Sequence, residues 1–244
     1  MTLPTDTAAT EPPPTGREVL VGVVLVAVIL FGAFGALIYL TRGTDMPEER
    51  PFSFDFATAI LVQNAGFLAA ALPLFVTRRS RAPAALGFLP ARLRDFFIWG
   101  AVVIASALVL RQLVGVFQQV TGRPVQVPAY DIMNAGLADL GLPVMLLLAA
   151  VLAPLAEEVA FRGVLFSWLR RRLSFIPAAI LQALPFGLLH IQLEHVLYAT
   201  LLGAMLALAR ERGRSLWVPV AIHVVINTVA VTAIYLGIEA PAPE

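Results

Sequence analysis

The sequence predicts an all-α integral membrane bundle of seven or eight transmembrane helices, and three observations carry that reading. Of 244 residues, 59% are hydrophobic and only 14% charged, where a soluble domain would have about a quarter charged. Mean hydropathy is +0.84. The apolar residues also fall in runs long enough to cross a bilayer, and continuous runs of that length fold as helices because lipid offers no water to an unpaired backbone group.

The remaining composition narrows the classes. A net charge of +1 builds no field for nucleic acid, and no nucleic-acid partner is expected. All 17 basic residues are arginine, which reads as the bias of a GC-rich genome. The chain has no cysteine, so disulfides, iron–sulfur clusters and thiolate metal sites are excluded.

Residues 1–17, rich in Pro and Thr, read as a disordered cytoplasmic tail. The apolar run Val19–Leu40 is too long for a cleaved signal peptide and reads as an uncleaved first helix. Phe56–Val76 and Phe96–Val116 follow, the latter carrying Arg111, and these three spans form an N-terminal unit over residues 18–116. A second unit over 142–238 holds Leu142–Leu169, Phe175–Ile191, Glu194–Ala209 and Leu216–Leu236. Leu142–Leu169 would be about 42 Å long at 1.5 Å per residue, so it must tilt, project or kink, with Pro154 as the expected hinge. The sixth run is short, which leaves room for an eighth or re-entrant element.

Arginine placement orients the bundle. With the N-terminus in the cytoplasm, Arg17, Arg78, Arg79, Arg81, Arg92, Arg94, Arg170, Arg171, Arg172, Arg210, Arg212 and Arg214 all fall inside. Arg42, Arg50 and Arg123 fall outside, together with the acidic stretch Asp45–Asp55 and the tail bearing Glu239 and Glu244.

The fourth run contains "LAPLAEEVAFRGVLF" (152–166), with three ionisable residues that would cost roughly 8–10 kcal/mol facing lipid. Glu158 and Arg162 stand i,i+4 in the favourable acid-before-base order. Glu157 is turned about 100° away, which leaves it available to a neighbouring helix. His190 closes the fifth run and His223 lies in the seventh, with Asn227 one turn further on the same face. At 1.5 Å per residue from the cytoplasmic ends, Glu157, His190, His223 and Asn227 lie about 18, 22, 11 and 17 Å deep. Three helices therefore bring polar groups to one layer, as an enclosed polar site requires.

"EEVAFR", Phe186 to His190 and His223 to Asn227 fit E-E-x-x-x-R, F-x-x-x-H and H-x-x-x-N. In that order the chain resembles the CAAX protease and bacteriocin-processing (CPBP, or Abi) family of intramembrane proteases over about residues 142–236. The resemblance implies peptide-bond hydrolysis within the membrane. Glu157 with His190 would hold and deprotonate a water, His223 and Asn227 would stabilise the oxyanion, and Glu158 with Arg162 would orient the constellation. Phe186 would wall the substrate pocket. The cofactor stays open: none for a glutamate mechanism, to which the reading leans, or one divalent metal such as zinc on Glu157, His190 and His223. H-E-x-x-H is absent.

The implied partners are membrane lipid and a membrane-associated peptide or protein. The expected location is a bacterial cytoplasmic membrane, and oligomeric state is not addressed by the sequence. A catalytically silent scaffold or regulator of the same fold is the rival reading, and a small transporter a third. Transporters of that kind commonly repeat their polar features in both halves, whereas these are confined to one. His195 matches no motif and reads as structural. Gln63 and Asn64 in the second run carry no assignment, and Gly203 reads as a close-packing residue.

Overall fold

The computed structural model describes residues 11–41, 52–121, 128–190 and 193–238. Among them every regular element is helical. Arg42, Arg50, Arg123, Glu239, Glu244, most of the acidic stretch, and the side chains of Arg111, Glu194 and His195 lie outside the described residues.

Helix α1 (Gly16–Thr41) starts with a reciprocal cap. The Thr15 amide donates to Glu18 Oε2 at 2.7 Å, and the Glu18 amide donates to Thr15 Oγ1 at 3.3 Å. This is the T-x-x-E arrangement that satisfies two otherwise orphaned donors. Glu18 Oε1 also accepts from Thr77 Oγ1 at 2.7 Å and Arg78 Nε at 2.9 Å. The carbonyls of Pro12 and Pro13 accept from Arg78, and that of Pro13 from Arg171 as well. The end of the expected free tail is thus docked on Arg78, at the end of a short helix, and on Arg171, just past a later one, which give its carbonyls partners before α1 begins.

Helix α2 (Phe52–Ala69) and α3 (Leu72–Arg78) are separated at Ala70–Ala71, in front of Pro73. A 3₁₀ turn (Arg79–Arg81) and α4 (Ala82–Leu86) follow. Helix α5 (Leu93–Thr121) is the longest. Helix α6 (Pro128–Met145) begins in residues that the sequence left outside any span. Gly141 interrupts it at φ 75° and ψ 161°, a conformation that a side chain would strain, and Pro143 follows.

The fourth run then continues as a π-helical segment (Leu146–Leu152), α7 (Ala153–Glu158), a second π segment (Val159–Phe166) and α8 (Ser167–Arg170). A non-helical residue, Gly141, stands just before this run; at Pro154, the expected hinge, helical backbone continues and the hydrogen-bond register changes. Helices α9 (Phe175–Leu188), α10 (Leu193–Gly213) and α11 (Trp217–Tyr235) complete the bundle.

Each of the seven apolar runs is therefore mainly helical where described, the second with a break at Ala70–Ala71. Among the described residues, four stretches have both the length and the hydropathy to cross a membrane: Ile60–Leu86, Leu93–Leu110, Leu140–Arg170 and Trp217–Tyr235. The chain is a multi-pass membrane protein by these helices. Its outer faces carry exposed Phe97, Leu108, Leu113 and Ile176, acceptable where the surrounding solvent is hydrocarbon.

The interrupted helix through α7 is the centre of the bundle. Helices α2, α9, α10, α11 and α4 all pack against α7 or its flanking π segments. One core cluster joins Leu74 and Leu86 to Val159, Val164, Leu216 and Val220. Another joins Phe67 to Ala156, Phe161, Phe186 and Ala199. The ionisable residues are thereby enclosed by protein, not lipid.

Candidate active site

Pro154 explains the local backbone. In the first π segment the Ala153 amide donates to the Leu148 carbonyl, five residues back. The next bond in that register would run from residue 154 to Ala149, and proline has no N–H to make it. The freed Ala149 carbonyl accepts from Asn227 Nδ2 at 3.0 Å. A missing donor on one helix thus fixes a side chain on another, because a buried carbonyl must find a partner.

Glu158 and Arg162 are both completely buried and 2.8 Å apart, Oε1 to Nη1. The i,i+4 pair read from the sequence is formed. The guanidinium also donates through Nη2 to the Gly203 carbonyl of α10 at 3.0 Å, and it lies 4.4 Å over the Phe186 ring. Gly203 permits this approach: a Cβ there would sit 3.0 Å from Phe186 Cδ1 and 3.2 Å from Arg162 Nη2. Gln182 Nε2, also fully buried, donates to the same carbonyl at 3.0 Å and to the Ala179 carbonyl. Three helices are joined through one backbone oxygen.

His223 Nδ1 lies 2.9 Å from the same Glu158 oxygen, so Glu158 serves α11 as well as its own helix. That bond turns the other ring nitrogen, Nε2, toward Glu157, 3.8 Å from Oε2. Glu157 keeps 11% of its side chain exposed, against none for Glu158. The two adjacent glutamates therefore differ in kind: one is fully buried with Oε1 shared by Arg162 and His223, and the other stands at the edge of the enclosure. An imidazole that faces Glu157 is thus that of His223, on the last helix, its ring held by the Glu158 bond.

His190 is exposed at the end of α9, its Nδ1 3.0 Å from the Phe186 carbonyl. Phe186 is edge-on to both imidazoles, with ring centroids 5.2 Å from His190 and 6.1 Å from His223. The expected pocket wall thus packs among His190, His223 and Arg162.

The donor set can be tested against a metal. Glu158 Oε1 is committed to Arg162 and His223, and His223 Nδ1 to Glu158. Among the described residues no group of three or more His, Asp or Glu side chains is disposed to hold an ion. The set Glu157, His190 and His223 is not assembled as a ligand sphere, and no step below runs through a metal.

Sequence reasoning did not reach Gln182, or the Gly203 carbonyl as an acceptor. A glutamine inside an apolar helix was the available signal for the first. Nothing marks a particular backbone carbonyl in advance.

Comparison with known proteins now bears on this geometry. Residues 139–229 match the family model described as Rce1-like, type II CAAX prenyl endopeptidase. A relative named "Putative membrane peptidase YdiL", from Bacillus subtilis, is 32% identical over 89 residues, 36% of each chain. A second, "Uncharacterized 24.3 kDa protein" of Escherichia coli, is 32% identical over 123 residues, 47% of this chain and 56% of the relative. The matched stretches thus span about a third to a half of these relatives. No solved structure matches. Glu157, Glu158, Arg162, Phe186, His190, His223 and Asn227 all fall within the matched segment, so over residues 139–229 the chain is similar to that endopeptidase family and to a relative named as a membrane peptidase.

Proposed function

We propose that this chain is an intramembrane endopeptidase that hydrolyses peptide bonds of a membrane-associated peptide or protein, in the cytoplasmic membrane of a bacterium with its N-terminus inside. The observation that carries the reading is the division of labour between adjacent acids. Glu158 is fully buried and bonded to Arg162 and His223, while Glu157 remains partly open and faces His223 Nε2 at 3.8 Å.

In this mechanism Glu157 takes a proton from a water, whose oxygen attacks the substrate carbonyl. His190, exposed beside Phe186, helps to hold that water from the open side. His223 as imidazolium donates through Nδ1 to Glu158 and through Nε2 to the developing oxyanion. The second N–H of Asn227 Nδ2, beyond the one given to Ala149, is a further donor. Glu157 then passes its proton to the leaving nitrogen as the C–N bond breaks, giving a carboxylic acid and an amine. Arg162 touches none of the reacting atoms and positions Glu158.

The test is cleavage of a panel of internally quenched apolar peptides by purified protein in detergent. Wild type should cleave, and Glu157→Gln should lose about 10²–10⁴-fold in kcat while eluting as the same folded species. Cleavage by Glu157→Gln at the wild-type rate would refute the assignment. Folded wild type that cleaves nothing would favour the silent scaffold.

A further inference from the structure

Asn64 stands apart from the other buried polar side chains. It is 4% exposed, yet neither Oδ1 nor Nδ2 has a hydrogen-bond partner. Gln182, Glu158, Arg162, Ser215 and His223 are at least as buried and each holds at least one, although Gln182 Oε1, Glu158 Oε2 and Arg162 Nε are themselves unpaired. An unpaired carboxamide is unfavourable in any protein interior, and more so where lipid surrounds the bundle and no bulk water reaches it. Selection for packing alone would favour leucine, which has nearly the same shape.

Its neighbours along α2 show where the amide lies. Ile60, Asn64 and Phe67 share one helical face. Ile60 packs into the cluster of Met145, Ala149 and Ala150. Phe67 packs with Ala156 and lies edge-on to Phe161 at 5.7 Å. Asn64 therefore falls between the level of Ala149 and the level of Ala156, on the face of α2 that packs against Ala153–Glu158. That is the stretch carrying Pro154 and Glu157.

We propose that Asn64 is a substrate-binding residue whose carboxamide pairs with a backbone peptide group of the substrate, beside the bond presented to Glu157. A carboxamide offers one acceptor and one donor side by side, matching the N–H and C=O of an extended chain in two antiparallel hydrogen bonds. The residue recognises the substrate as a peptide irrespective of its side chains. The proposal rests on the protease reading above and adds a residue from the N-terminal half of the chain, outside the segment that matches the family.

The experiment pairs Asn64→Leu with backbone methylation. The probe is a fluorescein-labelled, internally quenched Ala/Leu/Val nonapeptide, with analogues methylated at one backbone nitrogen at a time. Asn64→Leu should raise KM about tenfold with kcat within twofold, and leave Tm in detergent unchanged or higher. One methylated analogue should lose the same factor against wild type and nothing further against Asn64→Leu. Binding is also read by anisotropy on the non-cleaving Glu157→Gln protein, with and without Asn64→Leu, so it does not depend on catalysis. Equal binding by those two proteins, or no binding by either, overturns the proposal. A fall in Tm with unchanged KM also overturns it, because the amide would then be structural. Cleavage that survives Glu157→Gln while Asn64→Leu still weakens binding removes the catalytic assignment and leaves this one standing.

Discussion

His223 Nδ1 and Glu158 Oε1 lie 2.9 Å apart, and the same oxygen is 2.8 Å from Arg162 Nη1. One buried carboxylate oxygen therefore holds two helices and orients the imidazole that faces Glu157. Glu158→Gln should destabilise the fold by about 3–5 kcal/mol, since it leaves the Arg162 guanidinium buried without its counter-charge. Glu157→Gln, at the partly open position, should change Tm little while abolishing cleavage. Thermal unfolding in detergent, run beside the peptide assay, separates the two. Equal Tm values for both variants would contradict the division of roles.

Asn227 and Pro154 should be energetically coupled. Asn227→Ala leaves the Ala149 carbonyl unpaired and should cost about 1–3 kcal/mol. Pro154→Ala supplies the backbone N–H whose absence freed that carbonyl. In the Pro154→Ala background the cost of Asn227→Ala should shrink, a coupling of about 0.5–3 kcal/mol in a double-mutant cycle. Additive losses would show that the carbonyl is satisfied in another way.

Gly203→Ala tests the close approach of α10 to Arg162. Its Cβ would press on Phe186 and the guanidinium at 3.0 and 3.2 Å, and overpacking of this kind costs about 1–3 kcal/mol. The same substitution displaces the carbonyl shared by Arg162 and Gln182, so cleavage should fall along with Tm. Gln182→Leu should then show a smaller loss, since Arg162 keeps its bond to Gly203.

Glu18 gives a pH signature outside the membrane core. Burial raises its affinity for a proton, but hydrogen bonds from Arg78, the Thr15 amide and Thr77 outweigh burial and hold its pKa at about 2, below the ordinary 4.5. A depressed carboxylate stabilises the fold above its unfolded pKa and loses that contribution as pH falls through the folded value. The Tm advantage of wild type over Glu18→Gln should be full above about pH 5 and decline progressively toward pH 2. An advantage that persisted unchanged at pH 2 would mean the carboxylate is not what holds α1 to Arg78.

Helicity, the apolar runs and the Glu158–Arg162 pair were legible in the sequence because they rest on local spacing, and local spacing survives folding. The T-x-x-E cap before Val19 was equally local and could have been read from Thr15 and Glu18. The approach of His223 to Glu157 was not legible. It depends on the rotation of α7 about its axis, which a π segment resets, and on a bond from Glu158 to a residue 65 positions later. The docking of Pro12 and Pro13 was hidden for a similar reason, since composition marks a segment as unable to build its own core but not as a guest on another. Asn64 was visible as a polar residue in an apolar run, yet its lack of any partner emerges only once every neighbour is placed.

The π segments give the site a phase. A helix advances about 100° per residue, and a π segment absorbs roughly one extra residue without lengthening the rod. If residues 146 to 152 wound as ordinary α-helix with none removed, everything after them would swing around the axis by roughly a quarter turn or more. Glu158 would then leave His223, and Glu157 would point where no imidazole waits. The geometry around Glu157 is set by an angle as much as by residue identity, and a change of winding in an apolar stretch, silent to any count of motifs, would undo it.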